Sequence, residues 1–255
     1  MRSAVTGERV VTSRGGFNPS WQRHVAGYLL SAPYLPQGRV LDVGCGVGHS
    51  FEALAPRETV GVDVDPTVLE TQERETVVAD MRALPFASAS FDGALAVHSI
   101  EHVPDPERAL REIERVLKPG GTTVLVTPNR LTFARPDEII DPYHYVEYDA
   151  RELEAVCAAV FKGVQVAGLF GSERHRAFVA REHAKLDRLL GVDPLRLRRL
   201  VPRTIRQRLY DWRLTSERAE HDPEAAAITP DDFTLGTDGV DAAFDLVAIC
   251  RKSQE

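Results

Sequence analysis

The sequence predicts an α/β fold in which helices cover both faces of a doubly wound, mostly parallel sheet. Three observations predict it. Strand-like and helix-like segments alternate from about residue 19 to 170, each candidate strand is apolar along its length, and a glycine-rich turn directly follows the first one. Alternation favours parallel strands joined by crossover helices. Continuous apolarity is typical of strands that are covered on both faces.

The elements follow in order along the chain. A helix is predicted to begin at Asn18-Pro19, with Asn18 as its cap and Pro19 at its first position. The clearest helix is "DPERALREIERVLKPGG", whose apolar residues recur at helical spacing and which Gly120-Gly121 closes. Seven segments are predicted strands: "RVLDV", "TVGVDV", "TVVAD", "GALAVHS", "TTVLVTP", "GVQVAGLF" and "AAFDLVAICRK".

The last two predicted strands are separated by a long basic segment. A helix that opens with the capping pair Asp149 and Glu152 precedes them. Between them, two or three amphipathic helices are predicted, broken near Gly191 and Pro202. This order suggests an antiparallel pair of strands at one edge of the sheet, with the helical insert standing above it.

Composition limits the class of protein. The 255 residues are 43% hydrophobic and 27% charged, which suits one large α/β domain with an insertion. No apolar run is long enough to be a transmembrane segment, and the N-terminus does not resemble a secretory signal. The three cysteines, Cys45, Cys157 and Cys250, are odd in number and far apart. We therefore expect a reduced, cytoplasmic protein.

The charge is distributed unevenly. Residues 172–219 carry 13 Lys/Arg against 6 Asp/Glu, a net charge of +7, whereas the whole chain has −7 and the remainder therefore −14. The acidic balance and the lack of an appended RNA-binding domain argue against a nucleic-acid partner. The sequence leaves the oligomeric state open, a homodimer included.

The glycine-rich turn suggests a bound ligand. Gly44, Gly46 and Gly48 allow close approach of the backbone, and a following helix would offer free N–H groups. The spacing differs from the G-x-G-x-x-G of dinucleotide sites, and Asp42 would repel a pyrophosphate. A ligand with an ammonium or sulfonium group suits Asp42 better. Asp63, at the end of the second strand, could then accept hydrogen bonds from ribose hydroxyls.

Four segments carry a resemblance. "VLDVGCGVG", "GVDVDP", "ADMRALPFASASFD" and "ALREIERVLKPGG" resemble, in order, the motifs of class I S-adenosylmethionine-dependent methyltransferases. The resemblance implies a Rossmann-like, seven-stranded sheet with an antiparallel last strand, and S-adenosyl-L-methionine as the cofactor. We place the following residues in the cofactor site: Asp42, Gly44, Cys45, Gly46, Asp63, Val64, Asp80, Met81 and His98.

Two segments supply candidates for the chemistry. "HSIEHV" places His98, Glu101 and His102 after the fourth strand, on one face if a helix begins there, and "DPYHYVEYDAREL" adds His144 beside Glu147. An amine acceptor needs only to be presented neutral, but a hydroxyl acceptor requires a base or a metal to help remove its proton.

The candidate catalytic residues are therefore His98, Glu101, His102 and His144, and their roles stay open. The pattern is similar to that of the metal-dependent methyltransferases of small-RNA 3′ ends and, in its first half, of the ubiquinone O-methyltransferases. That similarity implies a divalent metal, Mg or Mn, on Glu101, His102 and His144. Base catalysis by His102 or His144 without a metal is the competing interpretation, and a merely structural Glu101-His102 pair is a third.

A wider resemblance concerns the acceptor. "TGER", "TPNRLTF", "DPYHYVEYDARELEAV", "GLFGSER" and "ITPDDFTL" resemble actinobacterial sugar O-methyltransferases of the methylglucose lipopolysaccharide type. This implies a hydroxyl of a small-molecule sugar, an oligosaccharide, a glycolipid or a glycosylated natural product. An N- or O-methyltransferase of a non-sugar natural product, and a catalytically silent scaffold, are the alternatives.

These interpretations divide the chain into four parts: an N-terminal arm and helix (1–37), the cofactor-binding core (38–170), a basic helical lid insert (171–227, "the insert") and a final strand that completes the core (228–255). We expect the insert to cover the acceptor, with Tyr210 and Trp212 stacking on a sugar ring. An anionic glycan or membrane face would meet its arginines, Arg196, Arg199, Arg203 and Arg206. A solvated helix face is the competing interpretation.

Overall fold

The computed structural model describes residues 12–48, 50–70, 72–133, 135, 137–191, 193, 196–218 and 222–254. For residues 189, 190, 199 and 213–218 it describes the backbone alone. The "TGER" segment and the side chain of Arg199 therefore lie outside the described part of the chain.

Eight strands form one sheet in the order β3-β2-β1-β4-β5-β8-β6-β7. The first five strands in this order are mutually parallel, and β8 lies antiparallel between β5 and β6. The strands are β1 (Arg39–Val43), β2 (Glu58–Asp63), β3 (Glu75–Val78), β4 (Phe91–Val97), β5 (Leu117–Pro128), β6 (Gly163–Gly171), β7 (Phe233–Gly236) and β8 (Asp245–Arg251).

Helices flank both faces of the sheet. Among the described residues, no helix is both long and apolar enough to cross a membrane. The α-helices are α1 (Asn18–Ser31), α2 (Pro66–Leu69), α3 (Pro106–Val116), α4 (Arg130–Phe133), α5 (Ala150–Ala158), α6 (Glu173–Leu190), α7 (Arg203–Arg218) and α8 (Pro223–Ala226).

The α/β class and the antiparallel last strand are confirmed, but the strand count differs. The sequence predicts seven strands, whereas β7 adds an eighth, antiparallel to β6. It is only four residues long and pairs on one side alone, so its pattern is weak. The last strand, β8, is also not at the edge, because it pairs with β5 on one side and β6 on the other.

Two local predictions at element ends were wrong. Asn18 is not a cap: it is buried, and its side-chain amide donates to the carbonyls of Ala225 and Ile228, tying α1 to the end of the insert. α3 ends at Val116 rather than at Gly120-Gly121, and the chain is already extended at Leu117. Pro119 disfavours helical conformation at the residue before it, which makes continuation of the helix costly.

The glycine-rich turn leads into one 3-10 turn, Phe51–Leu54, instead of a helix. Pro56 lies two residues beyond this turn and prevents a regular continuation. The predicted cofactor residues therefore lie on the turn itself and at the strand ends, without the N-terminus of a long helix. In contrast, the predicted cap of α5 is confirmed, because Asp149 and Glu152 form a reciprocal capping box.

Two buried apolar clusters lie on opposite faces of the sheet. One includes Leu110 and Ile113 of α3 with Leu153 of α5. The other includes Ala26 of α1 and Phe178 of α6. α6 belongs to the insert by sequence, so the first half of the insert is part of the packed body of the domain.

Candidate active site

The glycine-rich turn is held against the ends of β2 and β4. Gly44 and Gly46 have positive φ values of 72° and 52°. A Cβ atom on Gly44 would lie 2.4 Å from Cβ of Ser99, so a side chain there is excluded, whereas one on Gly46 would meet nothing within 4 Å. The turn therefore presents bare backbone to open space, as close approach of a ligand requires.

Asp63 connects this turn to the end of β2. Its Oδ2 accepts a hydrogen bond from the Gly46 N–H at 3.0 Å, and its Oδ1 accepts one from the Asp65 N–H at 2.9 Å. The next residue, Val64, is 62% exposed, which is unusual for a valine that follows a buried strand. A carboxylate and an exposed apolar side chain thus stand together at the edge where parallel strands of such folds bind ligands.

The sequence predicts that Asp42 faces this open space, but in the structure it does not. It is fully buried, and its two carboxylate oxygens accept hydrogen bonds from the Tyr28 hydroxyl at 2.8 Å and the Arg74 guanidinium at 2.6 Å. Arg74 also stacks on Phe51. The cation that balances the Asp42 carboxylate is thus Arg74 of the same protein, and Asp42 is a buried structural residue next to the turn.

The remaining predicted cofactor residues lie around the same edge. Asp80 is bound by the Arg82 guanidinium, and this hydrogen bond holds the pKa of the Asp80 carboxyl below its usual value. The Met81 methyl lies 3.6 Å from the position that a Gly44 Cβ would occupy. Burial, with the nearby charge of Asp42, raises the pKa of the Cys45 thiol to about 12, so it is not a nucleophile.

His98 has a strained backbone and two carboxylate neighbours. Its φ is +48°, and its side chain is buried beside Glu101, at 3.5 Å, and Asp245, at 3.4 Å. Burial alone would lower the pKa of His98, but the charge and hydrogen bond of Asp245 and the hydrogen bond of Glu101 raise it to about 9. His98 is therefore an imidazolium at neutral pH and is unsuited to accept a proton.

Glu101 lies at the centre of this ionic network. It is fully buried and accepts a hydrogen bond from the Thr127 hydroxyl at 3.0 Å. Burial would raise its pKa, but the hydrogen bond from His98 and the charges of the nearby histidines hold the pKa of Glu101 at about 2. His98 lies outside the 3-10 turn Ile100–His102, so the predicted shared helical face does not exist.

Glu101, His102 and His144, which we name the Glu-His-His cluster, nevertheless come together. One candidate ligand atom from each lies within 4.8 Å of the others. Nδ1 of His102 contacts the Tyr143 carbonyl at 3.3 Å, and Nδ1 of His144 contacts Glu147 at 2.7 Å. Nε2 of each ring is thus the nitrogen left for chemistry. Burial would lower the pKa of His144, but the Glu147 hydrogen bond and nearby carboxylates raise it.

A cavity of about 530 Å³ lies beside this cluster, and we name it the insert cavity. Its walls come from α1, α6, α7, Phe244 and the loop that follows β5. Phe133 connects the two sites, since it lines the cavity and its ring lies 5.2 Å from that of His144. The cavity therefore has the position expected of an acceptor site.

The second half of the insert closes this cavity by docking on the loop after β5. Arg196 pairs with Asp137, and Arg198 pairs with Glu138. Arg203 donates to the carbonyls of Pro142 and Tyr143. Two of the arginines predicted to meet an anionic ligand, Arg196 and Arg203, are therefore used within the chain, whereas Arg206 lines the cavity.

Sequence reasoning missed three charged residues of this region: Arg23, Arg74 and Asp245. Arg23 contacts Asp245 at 3.3 Å, and Asp245 is fully buried. One signal was present, because Asp245 is a lone acid at the start of an apolar strand, where a carboxylate requires a partner. Nothing in the sequence marks Arg23 or Arg74 among the other arginines.

Comparison with known proteins gives a consistent result. Residues 41–125 match the family model described as "Methyltransferase domain". A Mycobacterium tuberculosis protein named as a probable S-adenosylmethionine-dependent methyltransferase is 31% identical over 258 residues, covering 96% of this chain and 88% of that protein. The ubiquinone biosynthesis O-methyltransferase of Xanthomonas campestris is 35% identical over 115 residues, 40% of this chain and 48% of that protein.

Solved structures share the fold. A crystal structure of a SAM-dependent methyltransferase from Thermotoga maritima superimposes with a TM-score of 0.62 at 18% identity, covering 93% of both chains. The [4+2]-cyclase SpnF superimposes with a TM-score of 0.57 at 20% identity, covering 96% of this chain and 86% of that one.

Proposed function

The chain belongs to the class I S-adenosylmethionine-dependent methyltransferases, and from this premise we propose that it O-methylates a sugar hydroxyl, with His144 as the general base. The acceptor would belong to a glycan, a glycolipid or a glycosylated natural product. The observation that carries the proposal is the hydrogen-bonded pair of His144 and Glu147, next to His102, with the His144 ring against Phe133, a residue of the insert-cavity wall.

The cofactor site would be the open edge at the glycine-rich turn. The bare backbone at Gly46, the Asp63 carboxylate and the exposed Val64 fit a ligand with a ribose and an apolar ring system. Asp80 and Met81 would serve the adenine. When bound, S-adenosylmethionine supplies an electrophilic methyl group on a sulfonium.

The chain's own residues would prepare the acceptor. Glu147 accepts the Nδ1–H of His144 and so fixes the tautomer in which Nε2 is unprotonated, the same logic by which an acid orients a catalytic histidine elsewhere. As the hydroxyl oxygen displaces the neutral thioether from the methyl carbon, Nε2 would take the hydroxyl proton. A base positioned in this way contributes about 10²–10⁴-fold. His98, already protonated, would act as a positioning residue that holds Glu101.

A divalent metal on the Glu-His-His cluster is the alternative. The donor set of one carboxylate and two imidazoles suits Mg²⁺ or Mn²⁺ only moderately, because hard cations prefer oxygen ligands. The contacts of both Nδ1 atoms with oxygen acceptors do resemble the outer shell of metal-bound histidines. If bound, the ion would polarise the hydroxyl, and the base would matter less.

A non-sugar acceptor is the second candidate function. The Xanthomonas campestris relative is named for ubiquinone biosynthesis, and a phenol ionises more readily than a sugar hydroxyl. The N-methylation alternative would require no ionisable residue at positions 102 or 144.

One set of assays tests these proposals. Methyl transfer to a panel of mono- and oligosaccharides, phenols and amines is followed by mass detection, with and without EDTA. We expect a sugar product that forms in the presence of EDTA and is lost in His144→Ala. Loss in EDTA with recovery in Mg²⁺ or Mn²⁺ would establish the metal mechanism. Full turnover in both His102→Ala and His144→Ala would exclude both mechanisms and favour an amine.

The remaining expectations are part of the same proposal. The division into 1–37, 38–170, 171–227 and 228–255 is retained, with a cytoplasmic location and no nucleic-acid partner. A homodimer is testable by light scattering.

A further inference from the structure

The walls of the insert cavity are mainly apolar where a ligand would touch them. The apolar lining includes Phe133, Ile139, Ile140, Phe178, Val179 and Phe244. These residues come from three separate parts of the chain: the loop after β5, α6 and the approach to β8. A cavity of this size and lining is typical of sites that bind an apolar molecule with a few polar contacts.

Most charged residues of the lining are neutralised within the chain. Glu138 pairs with Arg198 at 2.5 Å, and Lys185 pairs with Glu182 at 2.7 Å. Arg23 faces Asp245 at 3.3 Å. These pairs leave the charged walls with little to offer a polar ligand.

The other polar residues of the lining are also largely engaged. Asp141 accepts a hydrogen bond from the Tyr210 hydroxyl, and a ring nitrogen of His183 contacts the Phe133 carbonyl. His175 is buried, and burial lowers its pKa to about 4, so the ring is neutral. Arg206 is one of three exceptions, because its Nε, like Nε of Arg23 and Nδ1 of His175, has no hydrogen-bond partner among the described residues. Arg206 lies on α7, so a polar group of a ligand would contact the wall of the cavity that α7 forms.

The apolar lining continues out of the cavity along α7. Leu209 and Trp212 line the cavity and are 58% and 72% exposed. Ile205 is 48% exposed and precedes them by one and two helical turns, so the three side chains share one face. A compact ring would end inside the cavity, whereas this strip of apolar surface provides a path for an extended hydrocarbon.

We propose that the insert cavity binds a hydrocarbon chain attached to the acceptor, so that the substrate is an alkyl or acyl glycoside rather than a free sugar. The inference rests on the proposed function and specifies its acceptor. The sugar would lie at the Glu-His-His cluster. The hydrocarbon chain of the ligand would pass between α6 and the loop after β5 and emerge beside α7.

The test compares two glucosides that differ only in their aglycone. Octyl β-glucoside, below its micellar concentration, and methyl β-glucoside are titrated by calorimetry into the protein saturated with S-adenosylhomocysteine, so that no turnover is needed. Each buried methylene raises affinity about fourfold, so full burial of only two gives octyl glucoside at least a ~10-fold advantage. Equal affinities, or tighter binding of phenyl β-glucoside than of the octyl compound, would overturn the proposal.

Two exposed leucines provide matched variants. Leu209→Ser removes a lining side chain, whereas Leu200→Ser changes a leucine that is 82% exposed and outside the lining. The octyl-to-methyl affinity ratio should fall severalfold in Leu209→Ser and stay at the parent value in Leu200→Ser. An equal octyl-to-methyl affinity ratio in the parent and both variants would show that the hydrocarbon chain of the ligand binds outside the insert cavity. If the octyl compound binds as expected but no glucoside is methylated, the cavity assignment stands and the sugar acceptor is wrong.

Discussion

His144 and Glu147 are three residues apart and hydrogen-bonded to each other, and the proposed base catalysis uses them as a pair. Glu147 is buried at 4% exposure, and its partner His144 has a raised pKa. A base with a raised pKa accepts a proton more strongly but is unprotonated only at higher pH. The pair therefore sets the pH range in which a hydroxyl could be activated.

We predict that Glu147→Gln moves the rising limb of the pH–rate profile to lower pH. Glutamine keeps a hydrogen-bond acceptor for Nδ1, but a neutral one replaces the charged acceptor whose hydrogen bond contributes most to raising the His144 pKa, so the ring is neutral at lower pH. The measurement is kcat/KM from pH 5.5 to 9. Glu154→Gln, an exposed change on α5, is the control and should reproduce the parent profile. If the rising limb of the pH–rate profile does not move in Glu147→Gln, His144 is not the base.

The second prediction at this scale concerns the cofactor. Asp63→Ala should weaken S-adenosylmethionine binding by about 1.5–3 kcal/mol, because the ribose hydroxyls lose a charged acceptor. Calorimetry measures the affinity, and thermal melting checks that the glycine turn has survived the loss of the bond to Gly46. Asp65→Ala, two residues away, is the control. Equal affinity in the Asp63 variant and the parent would show that the ribose lies elsewhere.

The sequence predicts some of this site because parallel strands end at one edge. The segments after β4 and β5 were expected to meet there, and Glu101, His102 and His144 do lie within ligand distance of each other. An antiparallel last strand was predicted, but Asp245 was missed because the sequence does not give the register of β8. Its first residue is paired with Pro128, the last residue of β5, so an antiparallel strand begins where its parallel neighbours end. That register depends on the topology, which local patterns do not contain.

At the scale of elements, the insert combines two different halves. α6 contributes Phe178 to a buried cluster, whereas no described residue of α7 belongs to either large cluster. The breaks near Gly191 and Pro202 were predicted correctly from turn residues. The docking of the insert on the loop after β5 was not predicted. Arg196 and Arg198 pair with residues of that loop that are about 60 positions away in the sequence, and local patterns do not show such contacts.

We predict that deleting residues 196–218, with a short Gly/Ser linker in their place, leaves cofactor affinity unchanged and lowers turnover by about 10²-fold or more. The reason is that the deletion removes the roof of the insert cavity and so the positioning of the acceptor. Removal of 174–218 would also take Phe178 from the core. Calorimetry and methyl-transfer assays measure the two effects. A folded deletion variant that no longer binds cofactor would assign α7 to the cofactor site.

At the scale of the whole molecule, the sheet brings the two proposed sites to one edge. The glycine turn and Asp63 stand at the ends of β1 and β2, and the residues proposed to prepare the acceptor follow β4 and β5. The ionic network of His98, Glu101 and Asp245 lies at the same edge, after β4 and at the start of β8. Buried charges of this kind are costly when one partner is lost, so the network couples the stability of the domain to pH.

The direction of this coupling follows from the His98 pKa, which is about 9 in the folded protein against about 6.5 in an unfolded chain. Because the folded pKa is the higher one, the stabilisation from His98 is complete below pH 6.5 and is lost as pH rises through about 9. Its size is of the order of 3 kcal/mol. Asp245→Asn removes the charge that contributes most to raising this pKa, and it leaves Arg23 and His98 with less compensation.

We therefore predict that Asp245→Asn lowers the melting temperature at pH 6.5 and flattens its decline between pH 6.5 and 9, so that the gap between the parent and variant curves narrows towards the alkaline end, where the loss of the Arg23–Asp245 ion pair remains. Other groups titrate equally in both proteins, and the difference between the two curves isolates the network. Asp241→Asn, in the turn before β8, is the control and should follow the parent throughout. Parallel curves for Asp245→Asn and the parent would mean that His98 is neutral in the folded protein, and Glu101 would then have lost the cation that holds its pKa at about 2.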